Sequence, residues 1–283
     1  MLKTKQKMQL ARLVQVIVQA ARRVAGRGTT TQVRRRGVTW ALDLREGIDF
    51  SLWLLGAFEP ETISCYQRLI HPGDVVLDIG ANIGAHTLHL ARATGPQGRV
   101  IAFEPTDFAF AKLQRNVGLN PELAARIHCL QLMLVAREAD GSPTEDLYSS
   151  WPLDTADANR HHLHQGRLMT TAGARARALD LVVAELGLER IDCIKLDIDG
   201  AECAMLRGAA DSLRRWHPAI VMELAPYVLE EKGSSLAELV GILRDYGYRL
   251  YDATSGEPLP EEVSQLNAQI PAGASLNVVA RTG

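Results

Sequence analysis

The stretch Asp74-Val75-Val76-Leu77-Asp78-Ile79-Gly80-Ala81-Asn82-Ile83-Gly84 constrains this 283-residue chain more than any other. Its first half is a short apolar run. Its second half is a glycine-spaced turn that leads into His86-Thr87-Leu88-His89-Leu90-Ala91-Arg92, so the whole reads as strand, tight turn, helix. Gly80 lets the chain turn at little steric cost, and Gly84 lets the new helix pack close to the strand while its first amides stay open. A small molecule with a negative end is expected there. The dinucleotide fingerprint G-x-G-x-x-G would put a glycine where Asn82 stands, and a side chain at that place crowds a pyrophosphate.

Further strands follow at the spacing of an α/β protein. Arg99 to Pro105 is a second buried strand ending in Glu104, about 20 residues after the turn, where a carboxylate can accept hydrogen bonds from both hydroxyls of a ribose. The alternative is that Glu104 only caps the helix beginning near Asp107. Ile127 to Ala136 reads as a third strand with an apolar end. Ile191-Asp192-Cys193-Ile194-Lys195-Leu196-Asp197-Ile198-Asp199-Gly200-Ala201-Glu202 is a fourth, ending in two carboxylates and a glycine before a helix from Cys203 to Arg215. Ala219 to Leu224 is a fifth, carrying Glu223 near its tip, followed by a helix from Ser234 to Tyr246, a sixth strand at Tyr248 to Asp252 and a seventh at Ser275 to Arg281. Such alternation predicts a doubly wound, mostly parallel α/β sheet whose last strand is an antiparallel edge. In open parallel sheets ligands bind beyond the carboxyl ends of the strands, so Asp78, Glu104 and Asp197 fall on one edge of one crevice.

The turn D-I-G-A-N-I-G, the run F-E-P and the run I-K-L-D-I-D-G-A-E together resemble the FkbM family of S-adenosylmethionine (SAM)-dependent methyltransferases, over about residues 56 to 253. One departure is Asp199, where that family more often has glutamate. The resemblance implies a class I methyltransferase sheet and an O-methyltransferase acting on a hydroxyl of a sugar or natural-product scaffold. It implies that Asp78, Gly80, Ala81, Asn82 and Gly84 receive the methionine part of SAM and that Glu104 and Pro105 meet the ribose. Ala136 would wall the adenine, and Asp197 would adjoin the cofactor. A sugar hydroxyl is a poor nucleophile and gains from a base within hydrogen-bond reach, so Asp197 is the expected base and Glu223 the acid that orients the acceptor. Asp197, Asp199 and Glu223 could instead hold Mg²⁺ against a diol, but Ala225-Pro226 after Glu223 completes no hard-cation site, and a metal-independent reaction is expected.

Residues 137 to 178 lose periodicity and are expected to select substrate. Trp151 is the substrate-contact candidate there, and His161, His162 and His164 are expected in a solvated loop, since three His in four residues do not readily face one centre. Residues 1 to 26 read as an amphipathic helix with Leu10, Leu13, Val14, Ile17, Ala21 and Val24 at helical spacing and six Lys and Arg supplying charge. Packing on the domain or on a second copy is the expectation, and a membrane-surface anchor is the alternative. Residues 1 to 55, helix and hairpin, are a preface to a domain at 56 to 283. The net charge of −2 gives no global field toward nucleic acid, and no such partner is expected. Four scattered cysteines and no long apolar span make a cytoplasmic protein the default. A nicotinamide-dependent dehydrogenase and a non-catalytic nucleotide-binding interaction domain are the competing readings.

Overall fold

The computed structural model describes residues 4–138, 145–153 and 166–283. Helix α1 (Thr4–Val24) lays Ala11, Val14 and Val18 against a cluster formed by Trp40, Leu42, Leu44 and Phe50, and Gln15 Nε2 donates to the Leu44 carbonyl at 3.2 Å. One face of the helix therefore packs on its own chain. Strands β1 (Thr30–Arg35) and β2 (Val38–Asp43) form an antiparallel hairpin, whose turn places Arg36 and Gly37 at φ of 45° and 80°. Positive φ at both central residues matches the right-handed twist of the flanking strands. The next segment is helical, as α2 (Gly47–Leu55), and α3 (Pro60–Leu69) follows with proline at its start. The hairpin and α2 share their core with Ala81, Ile83, Leu88 and Leu113, so the preface is built onto the glycine turn itself.

Beyond it come β3 (Val75–Ile79), α4 (Thr87–Ala93), β4 (Arg99–Phe103), α5 (Asp107–Gly118), the single turn α6 (Pro121–Ala124) and β5 (Ile127–Leu130). The expected third strand is cut here. Gln131 turns its amide onto Pro105 and Asp107, and the chain leaves the sheet to form β6 (Leu132–Leu134). Strands β7 (Leu147–Ser150) and β8 (Arg167–Met169) make a small antiparallel pair, while β9 (Arg175–Arg177) pairs with β6. Helix α7 (Leu179–Glu185), β10 (Cys193–Leu196), α8 (Glu202–Arg207) and α9 (Ala210–Trp216) follow. The last two replace one expected helix. A Cβ on Gly208, between them, would lie 2.2 Å from the Val135 carbonyl, so only glycine lets the segment after β6 pass this close, and the Gly208 carbonyl accepts from the Asp180 amide at 2.9 Å. The chain ends with β11 (Ala219–Leu224), α10 (Pro226–Glu231), α11 (Leu236–Asp245), β12 (Tyr248–Asp252), α12 (Val263–Ala268) and β13 (Leu276–Thr282).

The seven-stranded sheet runs β12-β13-β11-β10-β3-β4-β5. From β11 to β5 the strands are parallel, and β13 is antiparallel to both its neighbours. This is the expected doubly wound, mostly parallel sheet, with one correction. The last strand is inserted between β11 and β12, because both of its edges find backbone partners, and the sheet's edge is β12. Alternate side chains feed the two faces: Leu77, Ile79, Ile101, Ile194 and Ile220 on one, Val76, Val100, Cys193 and Val221 on the other. With both faces buried, the only surface the parallel strands offer a ligand is their ends.

Candidate active site

Strand order reverses between β3 and β10, which opens the crevice at their carboxyl ends. Gly80 leaves β3 at φ 82°, and a Cβ there would sit 1.8 Å from the carbonyl oxygen of Asp197, at the tip of β10. No other residue fits between the two strand ends. Asn82 takes φ 48° and Gly84 φ 87°, so the turn is a run of left-handed positions. The Asn82 amide nitrogen donates to Glu104 Oε2 at 2.9 Å, and its side chain reaches the Ser149 carbonyl at 3.1 Å. Glu104 Oε1 accepts from the Thr106 backbone and hydroxyl, and that hydroxyl lies 2.8 Å from Ser149 Oγ. Burial pushes the Glu104 carboxyl up, against the pull of these donors. Thus Asp78, Gly80, Ala81, Asn82, Gly84 and Glu104 are brought together, and Ser149 of β7 meets them through Asn82 and Thr106. Ser149 was not legible as part of this group, since it lies in the aperiodic segment.

Lys195 lies beneath the crevice, a residue to which the sequence alone assigns no role. Its Nζ is buried, 3.2 Å from Asp197 Oδ2, 3.2 Å from the Gly80 carbonyl and 3.8 Å from Asp78 Oδ1. Burial alone would lower the ammonium's pKa, but Asp197, Asp78 and Glu59 raise it overall, so it stays charged. Asp78 Oδ2 accepts from Thr87 in the first turn of α4, at 2.5 Å. Glu59, held at φ 46° before α3, lies 3.5 Å from His86 Nε2. The buried Tyr66 hydroxyl and Asp78 Oδ1 have no hydrogen-bond partner among the described residues, which leaves polar capacity facing this end of the turn.

On the far side of Asp197, four carboxylates line one small cleft: Asp197, Asp199, Glu202 and Glu223, with Gly200, Ala225 and Val228. Burial and the charges of Asp197, Glu223 and Glu202 push the Asp199 carboxyl well up. Glu223 is raised to about 7 by burial and by Asp197 and Glu59, although Ser275 Oγ donates to it. Among the described residues no group of three or more His, Cys, Asp or Glu has the arrangement of a metal site.

A raised carboxyl fixes a sign. Below its ordinary 4.5 Glu223 is protonated folded and unfolded alike, and its contribution to stability is full; as pH rises through about 7 the fold must carry a disfavoured charge and that contribution is lost. Glu223→Gln is therefore expected to gain stability over the parent between pH 5 and pH 8, by on the order of 1–3 kcal/mol. Urea unfolding at the two pH values measures it, and equal differences at both would show that the charge is not disfavoured.

The remaining candidates lie apart or at the margin. Pro105 sits at the tip of β4, its carbonyl turned to Gln131. Ala136 is not at the tip of the third sheet strand, which ends at Leu130; it packs beside Gly208, a consequence of the break at Gln131. Trp151 follows β7, and its carbonyl accepts from the Gly47 amide at 2.8 Å, tying this segment to the start of α2. His161, His162 and His164 lie outside the described residues. No helix among the described residues is long and apolar enough to cross a membrane.

Residues 78–250 match the family model of the methyltransferase FkbM domain, a span that begins at the buried Asp78 and ends in β12. The 31-O-demethyl-FK506 methyltransferase FkbM of Streptomyces tacrolimicus is 29% identical over 240 residues, covering 75% of this chain and 88% of that protein. The AMB antimetabolite synthetase AmbE of Pseudomonas aeruginosa is 28% identical over 222 residues, 68% of this chain but only 10% of the synthetase. A solved methyltransferase FkbM from Methylobacillus flagellatus superposes with a TM-score of 0.45 at 17% identity, over 75% of this chain and 44% of that one.

Proposed function

The chain belongs to the FkbM family of methyltransferases, and from that premise we propose that it transfers a methyl group to a hydroxyl oxygen of a small molecule or glycan. SAM is the methyl donor. It supplies a methyl carbon activated by a sulfonium, and the protein's task is to hold donor and acceptor in line and remove a proton. The residues present suit that group. The glycine cradle at Gly80 and Gly84 admits a ligand against backbone, and Asp78 Oδ1 and the Tyr66 hydroxyl offer unspent hydrogen bonds for the polar amino-acid end. Glu104 is the ribose acid, with carboxylate capacity beyond its three internal donors.

The observation that carries the reading is the Asp197 carboxylate at the tip of β10, paired with Lys195 and directly across the switch point from Gly80. Asp197 takes the proton of the acceptor hydroxyl, Glu223 orients the acceptor, and Asp199 and Trp151 border it. A hydroxyl target agrees with the relative from Streptomyces tacrolimicus, whose name specifies an oxygen.

Thermal-shift titration tests the donor: SAM and its demethylated product are expected to raise the midpoint and NAD to leave it unchanged. A shift with NAD alone would return the dehydrogenase reading. Calorimetry refines it, since Glu104→Ala is expected to weaken SAM binding by about 1.5 to 3 kcal/mol through loss of charge-assisted bonds to the ribose. Unchanged affinity in a folded variant would move the ribose elsewhere.

A further inference from the structure

The N-terminal segment of this protein differs in net charge from the rest. Residues 1–42 hold ten Lys and Arg and no Asp or Glu, whereas the whole chain carries a net −2, so the remainder is at −12. Its described part, residues 4–42, is α1 and the β1–β2 hairpin, remote in sequence from the acids of the crevice. Helix α1 has two apolar faces. Ala11, Val14 and Val18 pack on the hairpin core, but Leu13, Val16, Ile17 and Val24 are 63%, 62%, 64% and 91% exposed. At 3.6 residues per turn those four, with Ala20, fall in an arc of roughly 100°, with Arg12 and Arg23 along one side of it. The neighbouring helix α2 adds Leu54 and Leu55, also exposed. Six of the eight large hydrophobic side chains exposed among the described residues thus lie on these two helices.

Single exposed aliphatics are ordinary, but a continuous stripe with arginines along one side is not. A polar partner would leave the stripe in water, and a nucleic acid would use the charge and waste the aliphatics. An anionic bilayer satisfies both: acyl chains receive Leu13, Val16, Ile17 and Val24 to the depth of the headgroups, while Arg side chains meet the phosphates. We infer that α1 and the adjoining basic hairpin dock this protein on an anionic lipid surface. The helix lies in the interface plane and does not span it. This does not depend on the methyl acceptor, and it fails or stands separately from the cofactor titration.

The full chain should be sedimented with vesicles of phosphatidylcholine alone and of phosphatidylcholine mixed with phosphatidylglycerol, at low and high salt. Binding is expected to the mixed vesicles only and to weaken with salt. The double variant Leu13→Gln/Ile17→Gln should lower that binding by about tenfold or more, while retaining the parent's thermal midpoint and its response to SAM. Absence of binding to the mixed vesicles overturns the proposal, as does binding that the double variant leaves intact. Sedimentation velocity supplies the remaining arm: a parent that self-associates without lipid and a monomeric double variant would assign the stripe to a second copy of the chain and overturn the lipid docking.

Discussion

Lys195→Met is expected to destabilise the fold by about 3–5 kcal/mol, the cost of stranding buried carboxylates whose partner has been removed. Asp78 is fully buried, and without Lys195 it keeps only the Thr87 hydroxyl among its described contacts. The Gly80 carbonyl loses its donor as well. Methionine fills most of the volume, so the loss is electrostatic rather than a cavity. Denaturant unfolding at neutral pH measures it. The second measurement is a cycle with Asp78→Asn: neutralising Asp78 in the methionine background should recover part of the loss, because the stranded charge has gone. A cost under about 1 kcal/mol would mean that the pair is solvated and worth no more than a surface ion pair. The pH dependence carries a sign too. The ammonium's pKa is raised in the fold, so its stabilisation is complete below the usual lysine range and fades only as pH climbs through and beyond it.

That lysine also marks where sequence reading stopped. Strand tips were legible because glycine and carboxylate after an apolar run announce the end of a parallel strand; hence Asp78, Gly80, Glu104, Asp197 and Glu223 could be named from residues alone. Lys195 was not, although a lysine inside a four-residue buried strand is unusual. Its role depends on register: Lys195 stands opposite Asp78 on the neighbouring strand, and it shares a face with Asp197 two residues on. Nothing local to either strand states that register. Ala136 failed for a similar reason. Apolar periodicity runs on through Gln131, but the chain leaves the sheet there because the Gln131 amide is drawn to Asp107 and Pro105, which are distant in sequence. At the break between α8 and α9, Gly208 meets Val135 and gives its carbonyl to the Asp180 amide, again tertiary contacts with no local signature. Ser149 lies in an aperiodic stretch, where pattern carries no information about which residue meets Asn82.

Asp197→Asn is expected to lower turnover by about 10²–10⁴-fold, the range for loss of a positioned general base. The change is close to isosteric and removes only the charge, so midpoint and SAM response should survive it better than they survive Lys195→Met. Two groups compete for the role. Glu223, raised to about 7, is better matched in pKa to a base at neutral pH, whereas Asp197 stands at the glycine turn, with its carbonyl against Gly80. Lys195 Nζ lies 3.2 Å from Asp197 Oδ2 and so fixes where that carboxylate stands. Geometry decides first in such a contest, since a base that does not reach the hydroxyl contributes nothing whatever its pKa. Turnover should therefore fall far less in Glu223→Gln than in Asp197→Asn, and it should persist in excess chelator. A rate that rises through about pH 7 in the parent and loses that rise in Glu223→Gln, with Asp197→Asn nearly as active as the parent, would transfer the proton to Glu223 and leave Asp197 as the acid that Lys195 holds against the turn.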